Sequence, residues 1–412
     1  MLQFHRATLE NGLEVIGESN PDAQSVAVGF FVQTGSRDES PELSGVSHFL
    51  EHMAFKGNDE YSAEDVNRIF DEMGASSNAS TSEELTIYYA AILPECLDRT
   101  MTLLSAMMRP SLRESDFQVE KNVILEEIGM YDDMPSFRVY EQAMQRHFCH
   151  HPLSQCVLGT PASITELTAE QMREYHAGRY GAANLVLAVA GNFDWQHFLN
   201  LAQQHCGSWQ RGTPGRTRPD ACPESSTEFL YQAEMHQEHL IQMGSAPAGS
   251  DSLRYAAEVV ATIVGEDGSG QLYWELVETG LAESCDLNYS DYDGSGAWML
   301  YLCCQPEETE SNLACIRKLF ETFNESGPTE EELEQALNKI ASRIVLGSER
   351  PMGRLTSLGE NWITRREYRS VEQDLETFRS VTMNDIRTLL NQYPLTALTT
   401  VGLGPHRPVG AG

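Results

Sequence analysis

The two halves of this 412-residue chain echo each other, which narrows the folds open to it more than any other feature. An alternating apolar segment, SVAVGFFVQTG (25–35), opens the first half, and HLIQMGSAPAG (239–249) stands at the matching place in the second. The helical pattern of SLRESDFQVEKNVILEEIGMY (111–131) is mirrored by TEEELEQALNKIASRIVLGS (329–348). Strand-like alternation followed by helical spacing in each copy predicts a duplicated α+β domain, and a chain this long exceeds what one core usually supports. The first copy closes on the apolar strand LVLAVAGNFD (185–194), and a Gly/Pro/Ser-rich stretch, SWQRGTPGRTRPDACPESS (208–226), reads as a linker. The expected organisation is therefore a first domain at 1–210, a linker at 211–226 and a second domain at 227–412.

The copies differ in chemistry. His48-Phe49-Leu50-Glu51-His52 lies in the first, whereas the second offers only the apolar helix YAAEVVATIVG (255–265). On a helix, His48 and His52 lie four residues apart on one face, where two neutral imidazoles can grip one metal ion. Gly45-Val46-Ser47 supplies small, capping-type residues before them. Glu51 falls beside the pair, where a carboxylate about 3 Å from the attacking water can take its proton, the metal having lowered the pKa of that water toward 7. A catalytic zinc needs a third protein ligand and an open position. Glu126 and Glu127, on the amphipathic run expected to bury Val123, Ile124 and Ile128, both qualify, because adjacent helical residues point roughly 100° apart. The second copy carries Ser342 and Arg343 at the same place. Glu120 lies two turns before Glu127 on the same face and is placed to orient a ligand or substrate.

H-x-x-E-H is the inverzincin signature. The surrounding segments SGVSHFLEHMAFKGN, MGASSNASTSEELTIYYA, VEKNVILEEIGMYDD and HPLSQCVLGTPASITELTAEQMREYHAGRYGAANLVLAVAGNFD closely resemble the insulinase or pitrilysin metallopeptidases. The similarity is to the branch that contains mitochondrial processing peptidase and its bacterial relatives. It covers nearly the whole first half and, more loosely, the second. It implies two homologous domains, each a mostly antiparallel sheet packed against helices, with one Zn2+ per chain held by His48, His52 and Glu127. It also implies Glu51 as general base, Glu120 as an additional active-site carboxylate, and an edge strand containing Asn78, Ala79 and Ser80 to which a peptide substrate adds as a further strand. Two such chains, a homodimer or a heterodimer with a related subunit, would enclose a chamber that admits peptides or unfolded segments. The resemblance departs from the family pattern at ELVETGLAESC (275–285), where an Arg and a Tyr are common and this chain has Val277 and Glu283. That departure suggests a heteromeric partner, or a homodimer using a different residue, with Tyr289 and Tyr292 nearby, and it keeps alive a second expectation, a non-catalytic or partner-dependent subunit that binds peptides.

Composition excludes other classes. A net charge of −33 opposes nucleic-acid phosphates. No stretch approaches the ~18 apolar residues of a membrane helix, and the N-terminus MLQFHRATLENG lacks the pattern of a secretory signal. Nine cysteines without CxxC pairing suit reduced thiols in a cytoplasm. His147, Cys149, His150 and His151 form a histidine-rich run with no completing ligand, so a second metal is not expected.

Overall fold

The computed structural model describes residues 2–221, 223 and 225–405. In chain order the first half contains β1 Gln3–Thr8, β2 Glu14–Ser19, β3 Val26–Val32, α1 Val46–Ala54, α2 Ala63–Glu72, β4 Ser76–Thr81, β5 Thr86–Ile92, α3 Leu97–Met107, α4 Glu114–Asp132, α5 Pro135–Phe148, α6 Pro161–Glu166, α7 Ala169–Arg179, β6 Leu185–Gly191 and α8 Trp195–Cys206. The second half continues with β7 Ser226–Tyr231, β8 Glu238–Ser245, α9 Arg254–Gly265, β9 Ser284–Tyr292, β10 Ser295–Cys304, α10 Thr309–Ser326, α11 Glu330–Ser348, α12 Pro351–Arg365, α13 Val371–Arg379, α14 Met383–Gln392 and β11 Thr399–Gly404.

These elements build two compact α+β units, each a mixed, mostly antiparallel sheet covered by helices, as the sequence predicts. The first sheet runs β1-β2-β6-β3-β5-β4 and the second β7-β11-β8-β10-β9. The duplication is visible strand for strand. β2 is parallel to β6 as β7 is to β11, and the remaining neighbours in both sheets are antiparallel. β1 is an addition at one edge of the first sheet.

The units depart from the expected boundaries in two places. The first draws on Met1–Gly129, Gln155–Thr217 and Val345–Ser370, and the second on Met130–Ser154, Arg218–Ile344 and Val371–Gly412. Helix α5, encoded in the first half, thus belongs to the second unit, and α12, encoded in the second half, belongs to the first. The reason lies in the sheets. Every residue of β3 and of β6 is buried, so both faces of the first sheet need cover. Helix α3 packs on β3 and β5. On the opposite face Leu355, Leu358, Trp362 and Ile363 of α12 close over Ile16, Ala27, Phe31 and Val186. In the second unit Val139, Ala143, Met144 and Phe148 of α5 do the same over Ile241, Met243, Val401 and Leu403. Both helices begin on a proline, Pro135 or Pro351, where the missing N–H costs nothing.

Helix α12 is fastened by polar contacts as well. Arg354 donates to both carboxylate oxygens of Glu18, at 2.8 and 2.6 Å, and both side chains are buried. Trp362 Nε1 donates to Glu14 at 2.7 Å. Helix and sheet meet so closely that a Cβ on Gly359 would lie 2.1 Å from the Phe31 ring. The stretch between α8 and β7 has no regular secondary structure, as a linker should, but the first unit claims it as far as Thr217. Of the linker positions, Cys222 and Glu224 lie outside the described residues. The described cysteines are free thiols. Among the described residues no helix is long and apolar enough to cross a membrane.

Two outcomes follow from this packing. Gly359→Ala adds up to ~1 kcal/mol of helix propensity but drives a methyl into an immobile buried ring, at a cost of about 1–3 kcal/mol. The urea midpoint should fall rather than rise. His147 on α5 is fully buried, its Nδ1 lies 3.1 Å from Thr399 Oγ1, and burial pulls its pKa down to about 4. The unfolded chain therefore takes up the proton first, and stability falls as pH drops from the usual histidine value of 6.5 toward 4. Between pH 7 and pH 5 this histidine alone should cost about 2 kcal/mol, and the pH-dependent loss in urea melts should shrink by that amount in His147→Gln.

Candidate metal centre

Helix α1 starts where Gly45 turns the chain with φ 90, a left-handed conformation that favours glycine. A side chain there would also collide with the Leu158 carbonyl oxygen, 2.6 Å from the Cβ position. Gly45 itself offers no capping side chain, so the exposed N–H groups are satisfied from outside the helix. Glu39 accepts from Gly45 N–H and from Ser47 N–H, each at 2.7 Å. Burial pushes the Glu39 carboxyl up to about 8, against the pull of these donors toward the charged form. Ser47 Oγ and Thr34 Oγ1 each lie 2.7 Å from the Tyr175 hydroxyl, extending the buried polar network beneath the helix.

One turn into α1, the His48 and His52 rings sit with centroids 4.7 Å apart. Helix α4 brings Glu127 to them. Its Oε2 is 3.8 Å from His48 Nε2 and 3.5 Å from His52 Nε2. Glu126 on the same helix is exposed, so of the two it is Glu127 that lies beside the histidines. The buried face of α4 is Phe117, Glu120, Ile124 and Ile128. Val123, expected among the buried residues, is 43% exposed because it points about 100° round the helix from the middle of that face.

The donor set fits a metal ion. His48, His52 and Glu127 each offer one atom, all within 4.8 Å of one another. Burial, reinforced by the neighbouring His52, lowers the His48 pKa to about 4, which keeps its imidazole neutral. The buried Glu127 Oε2 lacks a hydrogen-bond partner among the described residues. Two imidazole nitrogens and one carboxylate oxygen form a recurrent catalytic zinc set that leaves a position open.

Three further groups hold this set. Glu120 Oε1 lies 2.9 Å from His52 Nδ1, fixing the ring so that Nε2 faces Glu127. Lys56 Nζ pairs with the other Glu120 oxygen at 2.5 Å. Burial opposes the Glu120 charge, but His52 and Lys56 prevail and lower its pKa. Burial also opposes the His52 charge, and Glu120, Glu127 and Glu51 together raise its pKa. Glu51 sits beside the two histidines. Its Oε2 accepts from Thr81 Oγ1 at 2.5 Å, and burial raises its pKa. Thr81 ends β4, the outer strand of its sheet, so Asn78, Ala79 and Ser80 lie on a strand paired on one side only, to β5.

Sequence reasoning missed Glu39, Lys56 and Thr81 as parts of this arrangement. Lys56 carried a signal, four residues after His52 on the continuing turn. Glu39 and Thr81 act through tertiary contacts that no local pattern encodes. In the second unit, Arg343 occupies the position along α11 that Glu127 occupies along α4. It donates to Thr262 Oγ1 at 2.8 Å and stands 3.9 Å from both Glu258 and Glu266. A cation thus stands where the first unit has Glu127.

Comparison with known proteins agrees with this geometry. The family model for insulinase (peptidase family M16) matches residues 14–161, and the model for the peptidase M16 inactive domain matches residues 166–340. An uncharacterized zinc protease of Mycobacterium tuberculosis is 32% identical over 411 residues, covering 97% of this chain and 93% of the relative. Another, from Bacillus subtilis, is 30% identical over 391 residues, covering 94% of this chain and 95% of the relative. The chain belongs to the M16 peptidase family. Solved structures share the fold: a protease from Helicobacter pylori superposes with TM-score 0.89 at 22% identity, covering 98% of this chain and 100% of its own. A peptidase M16 inactive domain from Pseudomonas fluorescens gives 0.92 at 19% identity, covering 99% and 100%.

Replacing Glu120 by Gln leaves the three donors in place but removes the charge that orients His52. Zn2+ affinity, measured by competition with a chromophoric chelator, should weaken about 10–100-fold with little change in folding.

Proposed function

We propose that the protein is a zinc-dependent endopeptidase acting on peptides or unfolded segments, with His48, His52 and Glu127 as metal ligands and Glu51 as general base. The observation that carries this reading is the convergence of three metal donors with a half-buried carboxylate whose second oxygen is fixed by Thr81. When bound, zinc supplies Lewis acidity, lowering the pKa of water at the open position to about 7 and polarising a peptide carbonyl. The chain's own residues supply the rest. Glu51 takes the proton from the attacking water at Oε1 and returns it to the leaving amine. Glu120 keeps His52 turned toward the site. The free edge of β4 at Asn78, Ala79 and Ser80 accepts the substrate backbone as an added strand, so main-chain hydrogen bonds orient the scissile bond with loose sequence preference. The net charge of −33 favours basic peptides over nucleic acid. In this reading the protein works in the cytoplasm, as a dimer with itself or with a related subunit, and cleaves within the chamber the pair encloses.

One observation favours a partner-dependent form of this activity. Val277, near the place where the family resemblance implies an Arg, packs against the apolar core of the second unit. Glu283, at the Tyr position, accepts a hydrogen bond from Gln237. No cationic clamp comes from this stretch, and a second subunit would supply one.

Cleavage of a quenched peptide library by the purified chain tests both forms. Turnover by wild type that drops at least ~10³-fold in Glu51→Gln, with Zn2+ content unchanged, fits a self-sufficient peptidase. Zinc-loaded wild type without turnover fits the partner-dependent form, and full activity in Glu51→Gln sinks the assignment of the base.

A further inference from the structure

The segment between α8 and β7 reads as a linker, yet it delivers Arg216 into the first unit with its side chain only 2% exposed. There the guanidinium lies 2.8 Å from Asp38 and 3.4 Å from the Glu84 carboxylate, and it donates to the Glu84 backbone carbonyl. Its acceptors are themselves tied down. Arg179 stands 3.0 Å from Asp38, and Arg37 pairs with Glu84. Backbone bonds run alongside: Ser36 N–H donates to the Ser82 carbonyl at 3.3 Å, and Arg37 N–H to that of Glu83 at 3.0 Å. A Cβ on Gly35 would fall 2.2 Å from the Ser82 carbonyl oxygen, so the 35–38 segment and the 82–84 turn touch without a gap. That turn joins β4 to β5, and the residue just before it is Thr81, whose hydroxyl holds Glu51.

We infer that Arg216 is a positioning residue for the general base: it fastens the 82–84 turn to the 35–38 segment, and so sets Thr81 and, through Thr81, the Glu51 carboxylate. The inference rests on the assignment of Glu51 made above. Its physical basis is the shape of the arginine head group, a planar fork with five donors that can bridge a carboxylate and a carbonyl at once. An ammonium carries the same charge but cannot span both acceptors in that geometry. Placement matters because displacing a reacting group by about 1 Å can cost roughly 100-fold in rate. A segment that otherwise only joins the repeats thereby takes part in setting the geometry of the site.

The test compares wild type, Thr81→Val, Thr81→Ser, Arg216→Lys and the Thr81→Val/Arg216→Lys double variant. For each, kcat and KM on a cleaved peptide, Zn2+ content and deuterium uptake of segment 76–85 are measured. Thr81→Val and Arg216→Lys should each lower kcat about 10–100-fold, with KM and zinc content within about twofold. The double variant should be no slower than the worse single one, since both cut the same line of contacts. Thr81→Ser should restore kcat, and Arg216→Lys should speed exchange at residues 82–85 whereas Thr81→Val does not. If Arg216→Lys fails to fold, Asp38→Asn weakens the same joint at the carboxylate 2.8 Å from Arg216 and should reproduce the pattern. An unchanged kcat in Arg216→Lys, losses that multiply in the double variant, or a raised KM with kcat intact would overturn the inference. Wild-type activity in Glu51→Gln is a separate failure, because it removes the base itself.

Discussion

A sheet whose central strands are apolar on both faces cannot leave either face to water, and this constraint governs the whole chain. β3 and β6 are buried along their full length, so the first unit stands only if something covers the face away from α3. Helix α12 does so, with Leu355, Leu358 and Trp362 in the core and the buried Arg354–Glu18 pair as anchor. Breaking such a pair from one side leaves an uncompensated buried charge at a cost of several kcal/mol. The site helices inherit their rigidity from this arrangement, since α1 packs on β4 and β4 is the last strand of the filled sheet.

The site itself separates two tasks that one cluster of charges must perform. In the proposed reading the two histidines have to be neutral at the metal, while Glu51 as base has to hold a negative charge nearby. Burial keeps His48 neutral. His52 sits among three carboxylates, and Glu120, itself neutralised by Lys56, turns the ring so that Nε2 faces the other donors. Glu51 is held from the other direction by a neutral hydroxyl, which orients the carboxylate without neutralising it.

Much of this was legible in the sequence because it is local. The spacing of His48, Glu51 and His52 is a helix-face pattern, and the match between α4 and α11 exposed the duplication, whereas the preference for Glu127 over Glu126 came from resemblance. The edge position of Asn78, Ala79 and Ser80 followed from resemblance. What escaped was tertiary. Glu39 caps α1 from outside the helix, and Thr81 reaches Glu51 from another element, so neither leaves a periodic trace. Arg216 lies in a stretch whose Gly/Pro/Ser composition truthfully signals irregular backbone and says nothing about burial. Val123 shows the converse error, an apolar residue assigned to a core face that the helical spacing of Ile124 and Ile128 does not include.

The exchange of α5 and α12 between the repeats has a consequence for descent. A single repeat on its own would have to use its α5-type helix to cover its own sheet, or that of an identical copy. After duplication and exchange, a gene split at the repeat boundary would encode two chains, each with a bare apolar sheet face and a stray amphipathic helix. The two repeats therefore depend on each other for folding whatever chemistry each carries: the first sheet takes its cover from α12, although the second repeat has Arg343 at the position along α11 that Glu127 holds along α4.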